Sequence, residues 1–337
     1  MLPLGKLPAD LLARLLARAN AARADPRVVV GPGVGLDCAV LDFGDRYLVL
    51  KTDPITFATD GIGWYAVQIN ANDIACSGAS PRFFMATVLL PETDGNAALA
   101  ERIFGQITEA CAQLGATLVG GHTEITYGLD RPMVMGAMLG EVAKDRLVTA
   151  AGAQVGDTVL LTKGYPIEAV SILAREFSAA RELSAEPGLR AASDPDPGFL
   201  ERCRDFLYHP GISVVRDAQA ALATGRVTAM HDPTEGGVAT GLWELAEAAG
   251  RGIDMRLDAL RPLPEGERLC KAFGLDPLGC IASGALLLTT PEPEKIKAGL
   301  ASAGIPALEV GRVTDGRGVN LPRPGRDEIA RLLERPV

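Results

Sequence analysis

The sequence predicts a mixed α/β or α+β fold in two domains, and three observations carry that prediction. Short apolar strand patterns alternate with helical ones along the chain. The pattern restarts around Ala150–Gly156, so the 337 residues divide near residue 150 into 1–150 and 151–337, each close to the usual domain size of roughly 150 residues. No segment recurs at a fixed period, which excludes a repeat architecture.

Leu7 to Ala24 places Leu11, Leu12, Leu15, Leu16 and Ala19 on one face and reads as an amphipathic helix. Three extended pieces follow, Val28–Val30, Cys38–Phe43 and Tyr47–Thr52, with the loop Gly31-Pro32-Gly33-Val34-Gly35 between the first two. Gly63–Ser77 is a helix, Phe83–Leu90 a strand and Ala97–Leu114 a helix. Ala116–Val119 is a short strand ending in a Gly-rich turn at Gly120–Glu124, and Met133–Val142 is a longer strand. Cys38–Phe43, Tyr47–Thr52, Phe83–Leu90 and Met133–Val142 would make an open four-stranded sheet, whose exposed edges a second copy of the chain would close.

In the second half Asp157–Thr162 is a strand, Pro166–Phe177 a helix, and Ser184–Pro197, rich in Pro, Ser and acids, a surface loop. Helices follow at Ser213–Ala223, Ala239–Ala249, Glu265–Phe273 and Pro293–Ala303, and the last at about Asp327 to Glu334. Strands lie near Val227–Met230, Asp254–Leu257, Ala285–Thr290 and Ala307–Val313.

Composition narrows the function. The net charge is −9 with the acids dispersed, which argues against nucleic acid as a partner. A polyanion such as ATP would need a divalent metal to offset repulsion. The six cysteines are widely spaced, with no C-x-x-C pair, and sit among apolar neighbours, as reduced buried thiols of a cytoplasmic protein do. Three histidines, His122, His209 and His231, are too scattered for a zinc site. The amino end does not read as a signal peptide, and no apolar run reaches the ~18 residues of a membrane span. The reading is a soluble cytoplasmic protein without a membrane partner.

Acid-bearing turns recur. His231-Asp232-Pro233-Thr234-Glu235-Gly236-Gly237-Val238 ends an apolar run in an acid and opens a helix at Ala239. That order puts a carboxylate and free backbone N–H groups at a helix N-terminus, where a phosphate and its metal can be held together, although an acid there also serves simply as an N-cap. Gly31–Asp37 offers three glycines before an aspartate; it suits an anion-binding loop or an ordinary turn, and is neither a Walker loop nor a dinucleotide fingerprint. Asp53 ends an apolar strand, at the lip of a sheet where ligands bind in α/β proteins, or is a turn aspartate before proline.

In Gly63–Ser77, Trp64, Val67, Ala71, Ile74 and Ala75 share one helix face and Tyr65, Ile69 and Cys76 cover another. A narrow stripe of Asn70, Asp73 and Ser77 runs between them. A carboxylate flanked by apolar surface is costly unless a cation or metal pairs with it. In Gly120–Glu124, Glu124 is a metal ligand or an arginine partner. Mg²⁺ prefers hard oxygen ligands and bridges carboxylates to phosphates, so the set suits an ATP-using enzyme without a conventional P-loop.

Taken together, Gly-x-Asp-x-Ala-Val (Gly35 to Val40), Thr52-Asp53, Asn72-Asp73-Ile74, Gly-Ala-x-Pro (Gly78 to Pro81), Gly-Gly-x-Thr (Gly120 to Thr123) and Asp-x-Thr-x-Gly-Gly (Asp232 to Gly237) resemble the aminoimidazole ribonucleotide (AIR) synthetase superfamily. Within it, Asp-Pro-Thr-Glu-Gly-Gly-Val-Ala-Thr and Asp-Pro-Leu-Gly-Cys-Ile-Ala-Ser (Asp276 to Ser283) look HypE-like. The resemblance implies an amino-terminal domain, residues 1–150, whose strands form a barrel with a second subunit's in a homodimer, and a carboxy-terminal α+β domain, residues 151–337. It implies ATP and Mg²⁺ as cofactors in the cleft between domains, and a small-molecule substrate.

By motif position Asp37, Asp53, Asp73 and Asp232 would be metal ligands, with Asp53, Asp73 and Asp232 catalytic. Gly33, Gly35, Thr52, Asn70, Asn72, Gly120, Gly121, His122, Thr123, Glu124, Thr234, Gly236 and Gly237 would contact the nucleotide. There are departures: Gly35-Leu36-Asp37 replaces the common Gly-Asp-Asp, Gly5-Lys6-Leu7-Pro8 carries no thiol, and the last cysteine is Cys280 rather than a chain-end residue. Neither the HypE carbamoyl route nor selenophosphate chemistry is therefore expected. The expected function is phosphoryl transfer from ATP to an oxygen of an unassigned small molecule. The alternatives are a non-catalytic ATP-binding regulator, and HypE itself.

Overall fold

The computed structural model describes residues 4–7, 9–20, 25–33, 35–177, 196 and 198–334. The chain forms two compact units. The first comprises Ala17–Pro32 and Leu36–Leu147; the second comprises Val148–Val337 together with Met1–Leu16 and Gly33–Gly35. The change of unit thus falls at Leu147–Val148, and the amino-terminal segment groups with the second half.

Helix α1 (Ala9–Asn20) leads into the first unit. Its sheet holds β1 (Val28–Val30), β2 (Ala39–Asp42), β3 (Arg46–Ile55), β4 (Ser80–Pro91), β5 (Thr117–Thr126) and β6 (Met133–Ala143), in the order β1-β2-β3-β6-β4-β5. All neighbours are antiparallel except β4 and β5. The sheet is therefore six-stranded, where the sequence suggests a sheet of four, with Val28–Val30 and the short strand at Ala116–Val119 left outside it. β1 adds one edge, and β5 runs straight through the stretch expected to be a Gly-rich turn. Gly121 allows this: a Cβ there would lie 1.9 Å from the Ala86 carbonyl oxygen, so only glycine lets the strand close on β4.

From Met133 to Val142 strand β6 alternates between half-buried and buried residues, the period of a sheet with one covered face. Helix α2 (Ile62–Cys76) covers that sheet, and all fifteen of its residues are buried. Helix α3 (Asn96–Leu114) packs on α2 through Ile103, Ile107, Ala110 and Cys111, spaced for one helical face.

The second unit holds a sheet of β7 (Thr158–Thr162), β8 (Ala229–His231), β9 (Gly252–Met255), β10 (Leu287–Thr290), β11 (Ala307–Thr314) and β12 (Gly318–Val319). The order is β12-β9-β11-β7-β10-β8, antiparallel except for β12 on β9. Strands β7 and β10 are buried throughout, as continuous apolar runs in a covered sheet are. Around them lie α4 (Ile167–Ile172), α5 (Phe199–Asp205), α6 (Val215–Thr224), α7 (Gly237–Ala249), α8 (Pro264–Phe273), α9 (Pro293–Ser302) and α10 (Glu328–Leu333). Val238, Leu242 and Leu245 of α7 join Val159, Leu161, Ile253, Leu287 and Val310 in one core cluster.

The expected helix Pro166–Phe177 ends in a π turn at Leu173–Phe177, and α5 had no counterpart in the sequence reading. The expected loop Ser184–Pro197 lies outside the described residues apart from Asp196. No described helix is long and apolar enough to cross a membrane.

Candidate functional site

In the first unit the acids gather around a lysine. Lys51 and Asp53 are two apart on β3 and so share a face of the strand. The Lys51 Nζ lies 3.1 Å from Asp53 Oδ2 and 3.1 Å from Asp73 Oδ2 of α2. Burial by itself would lower the Lys51 pKa. The carboxylates of Asp73, Asp53 and Asp37 outweigh it and hold the ammonium well above its usual value. Carboxylates offer hard oxygens, the donor type that a divalent cation such as Mg²⁺ takes, and Asp53 and Asp73 bring two of them to one point.

Asp53 is held by its neighbours. The strand continues to Ile55 rather than stopping at Thr52, and Pro54 offers no N–H, so the backbone here takes side-chain partners. The Asp53 N–H donates to Asn70 Oδ1 at 2.9 Å, while Asn70 Nδ2 donates to the Asp53 carbonyl at 3.3 Å and to the Ala66 carbonyl at 2.8 Å. Asn70 is thereby committed to positioning Asp53. The Thr52 hydroxyl donates to the Gly136 carbonyl on β6 at 2.8 Å. Asn70, Asp73 and Ser77 are all buried, as a narrow polar stripe between apolar faces is, and Asn72 is buried as well.

In the second unit β8 delivers Asp232, 1% exposed, to the turn that opens α7. Gly236 and Gly237 both have positive φ, +79° and +66°, which shapes the turn. The sequence suggests that their N–H groups are free for an anion, and here the structure differs. Gly236 N–H donates to Asp327 Oδ2 at 2.7 Å, and Gly237 N–H donates to the Thr234 carbonyl at 3.0 Å. Asp327 also accepts from Ile329 N–H at 2.7 Å and so caps α10. Burial pushes the Asp327 carboxyl up to about 7 against the pull of those two N–H groups.

Lys6 reaches the same turn. Its Nζ lies 3.3 Å from Thr234 Oγ1, 3.3 Å from Glu244 Oε1 and 3.6 Å from Glu235 Oε2. Glu244 Oε2 in turn lies 3.0 Å from His231 Nε2. Gly35 belongs to this unit too, and a Cβ there would lie 3.2 Å from the Glu244 carbonyl oxygen. Gly33 is half-buried in the same short segment.

Gly120, Gly121, His122, Thr123 and Glu124 lie on the exposed edge strand β5 of the first unit. His122 Nε2 pairs with Glu124 Oε2 at 3.0 Å, both side chains about half exposed to solvent or more. Sequence reasoning missed Lys51, Lys6 and Asp327. For Lys51 a signal existed, since a lysine inside an apolar strand implies a buried counter-charge. Lys6 and Asp327 act across 238 and 91 residues of sequence and leave no local signal.

Residues 35–142 match the family model for the AIR synthase related protein, N-terminal domain, and residues 154–322 match that for its C-terminal domain. The chain is 26% identical over 275 residues to a putative hydrogenase expression/formation protein of Methanocaldococcus jannaschii, covering 79% of this chain and 75% of that protein. AaThiL complexed with AMPPCP and TMP superposes with a TM-score of 0.72 at 21% identity, over 96% of this chain and 98% of that one. The hydrogenase maturation protein HypE in complex with ATP superposes with a TM-score of 0.61 at 23% identity, over 88% and 80% of the two chains. The fold is accordingly the two-domain AIR synthase-like one, and the chain belongs to the AIR synthase related protein family.

Proposed function

We propose that this protein is an ATP- and Mg²⁺-dependent enzyme that transfers a phosphoryl group to an oxygen of a small-molecule substrate. The observation that carries the reading is the set of three carboxylates, Asp37, Asp53 and Asp73, around the buried Lys51. Family membership supports it, as do the nucleotide complexes of HypE and AaThiL. Within the first unit Asp37, Asp53 and Asp73 would hold Mg²⁺, which supplies charge neutralisation for the phosphates when bound. The acceptor oxygen bonds to the γ-phosphorus as the bond to the β,γ-bridging oxygen breaks, ADP leaves, and the acceptor's proton passes to solvent. Asn70 serves by fixing Asp53, and Lys51 by balancing the acids.

Calorimetry tests the reading. ATP affinity should fall at least about tenfold in chelator, and similarly for Asp53→Asn and Asp232→Asn; ATP binding indifferent to metal would sink the site. Release of ADP on adding an acceptor supports an enzyme, whereas tight binding without turnover supports an ATP-binding regulator. Relatives named carbamoyl dehydratase HypE favour one specific second reading, a HypE-type reaction. That reading requires a thiol that takes up a carbamoyl group, detectable by intact mass.

A further inference from the structure

Five of the six cysteines are buried, and two of them meet. Cys270 lies in the last turn of α8 and Cys280 directly follows the short 3₁₀ turn Pro277–Gly279. Their sulfurs are 3.7 Å apart, both residues fully buried. We propose that Cys270 and Cys280 are a reversible dithiol–disulfide site, oxidised by small-molecule disulfides, whose closure is felt at the turn that opens α7.

The geometry supports closure with little movement. A disulfide bond is about 2.05 Å long, so the sulfurs need approach by less than about 2 Å. Cys270 is fixed within a helix, its carbonyl accepting from Leu275 N–H at 2.8 Å. Cys280 is the more movable partner, since its own N–H makes only a long 3.4 Å bond to the Pro277 carbonyl. The hydrogen-bonded Cys270 sulfur, and burial after it, push the Cys280 thiol up, which keeps it protonated and makes the reaction depend on brief local opening.

The chemistry balances. The first cysteine thiolate attacks a sulfur of the small disulfide, breaking its S–S bond and expelling one thiolate. The second cysteine thiolate attacks the protein sulfur of the mixed disulfide and expels the other. The protein loses two electrons and two protons, and the reagent becomes two thiols.

The link to the turn is steric. A Cβ on Gly237 would lie 2.3 Å from the Leu278 carbonyl oxygen and 2.6 Å from that of Cys280, so this backbone presses directly on the start of α7. Drawing Cys280 toward α8 shifts that contact. Nothing here depends on nucleotide binding.

The test uses the full chain, treated with glutathione disulfide and then with dithiothreitol. Intact mass should show loss of two hydrogens that the reductant restores, with a Cys270–Cys280 cross-linked peptide after digestion. Cys270→Ser and Cys280→Ser should each abolish the loss; if a variant does not fold, the wild-type cross-linked peptide decides. Hydrogen exchange of residues 234–240 should differ at least about threefold between the oxidised and reduced forms. An unchanged mass, or a cross-link between other cysteines, overturns the site. A cross-link with unchanged exchange overturns its connection to the turn.

Discussion

Lys51 carries a single positive charge among the carboxylates of Asp73, Asp53 and Asp37, and its removal tests what they are for. Breaking a buried ion pair costs about 3–5 kcal/mol because the remaining charges stay uncompensated. Lys51→Met should therefore lower stability by about that much in chelator, measured by urea unfolding, and Mg²⁺ should restore more stability to the variant than to the wild type. Equal metal effects on both proteins would show that the acids do not bind the cation. Glu168 of α4 presents the opposite balance. It is 4% exposed, and burial pushes it up to about 8, with the Ser283 side chain opposing and the carboxylates of Glu235 and Asp327 adding to the rise. The fold thus favours its neutral form. No penalty exists below its ordinary value of 4.5, and the penalty grows as pH rises toward about 8 and then levels off. Glu168→Gln should match the wild type near pH 4.5 and exceed it by up to roughly 5 kcal/mol at pH 9. A gain that is constant with pH would remove ionisation as the cause.

The elements differ in how much of them the sequence discloses. Helix α2 is legible because burial on two faces leaves one stripe, and periodicity alone puts Asn70, Asp73 and Ser77 on it. The central strands β3, β4 and β6 are legible as apolar runs. Strand β5 is legible only up to Val119, because Gly120-Gly121 has the local chemistry of a turn and continues the strand only through close pairing with β4. The α7 turn is legible in position but not in bonding: its glycines suggest open N–H groups, and it takes Asp327, far along the chain, to satisfy one of them. What Gly237 does is instead steric and conformational. Its φ of +66° and the two carbonyls facing it leave no room for a side chain. Gly237→Ala should destabilise the protein by at least about 2 kcal/mol in denaturant unfolding. A neutral effect would mean the turn adapts readily.

For the whole molecule the open question is the edge formed by β5. Ten residues of strand expose one row of backbone N–H and C=O groups, with Val119 and Ile125 half exposed and Tyr127, just beyond its end, 90% exposed. A long exposed edge of this kind promotes pairing with another chain unless something covers it. The strand carries no lysine or proline that would discourage pairing. A net charge of −9 opposes close association only weakly at physiological salt, where the Debye length is about 8 Å. A second copy of the same edge is the simplest cover, because a twofold arrangement buries both rows at once. Light scattering at micromolar concentration should therefore give twice the chain mass of 35.3 kDa. Ile125→Lys should shift the protein toward the single-chain mass by placing a charge on an exposed apolar position of this edge strand. If the wild type already runs at the single-chain mass, the edge has some other cover. If Ile125→Lys remains dimeric, the contact lies elsewhere on the surface.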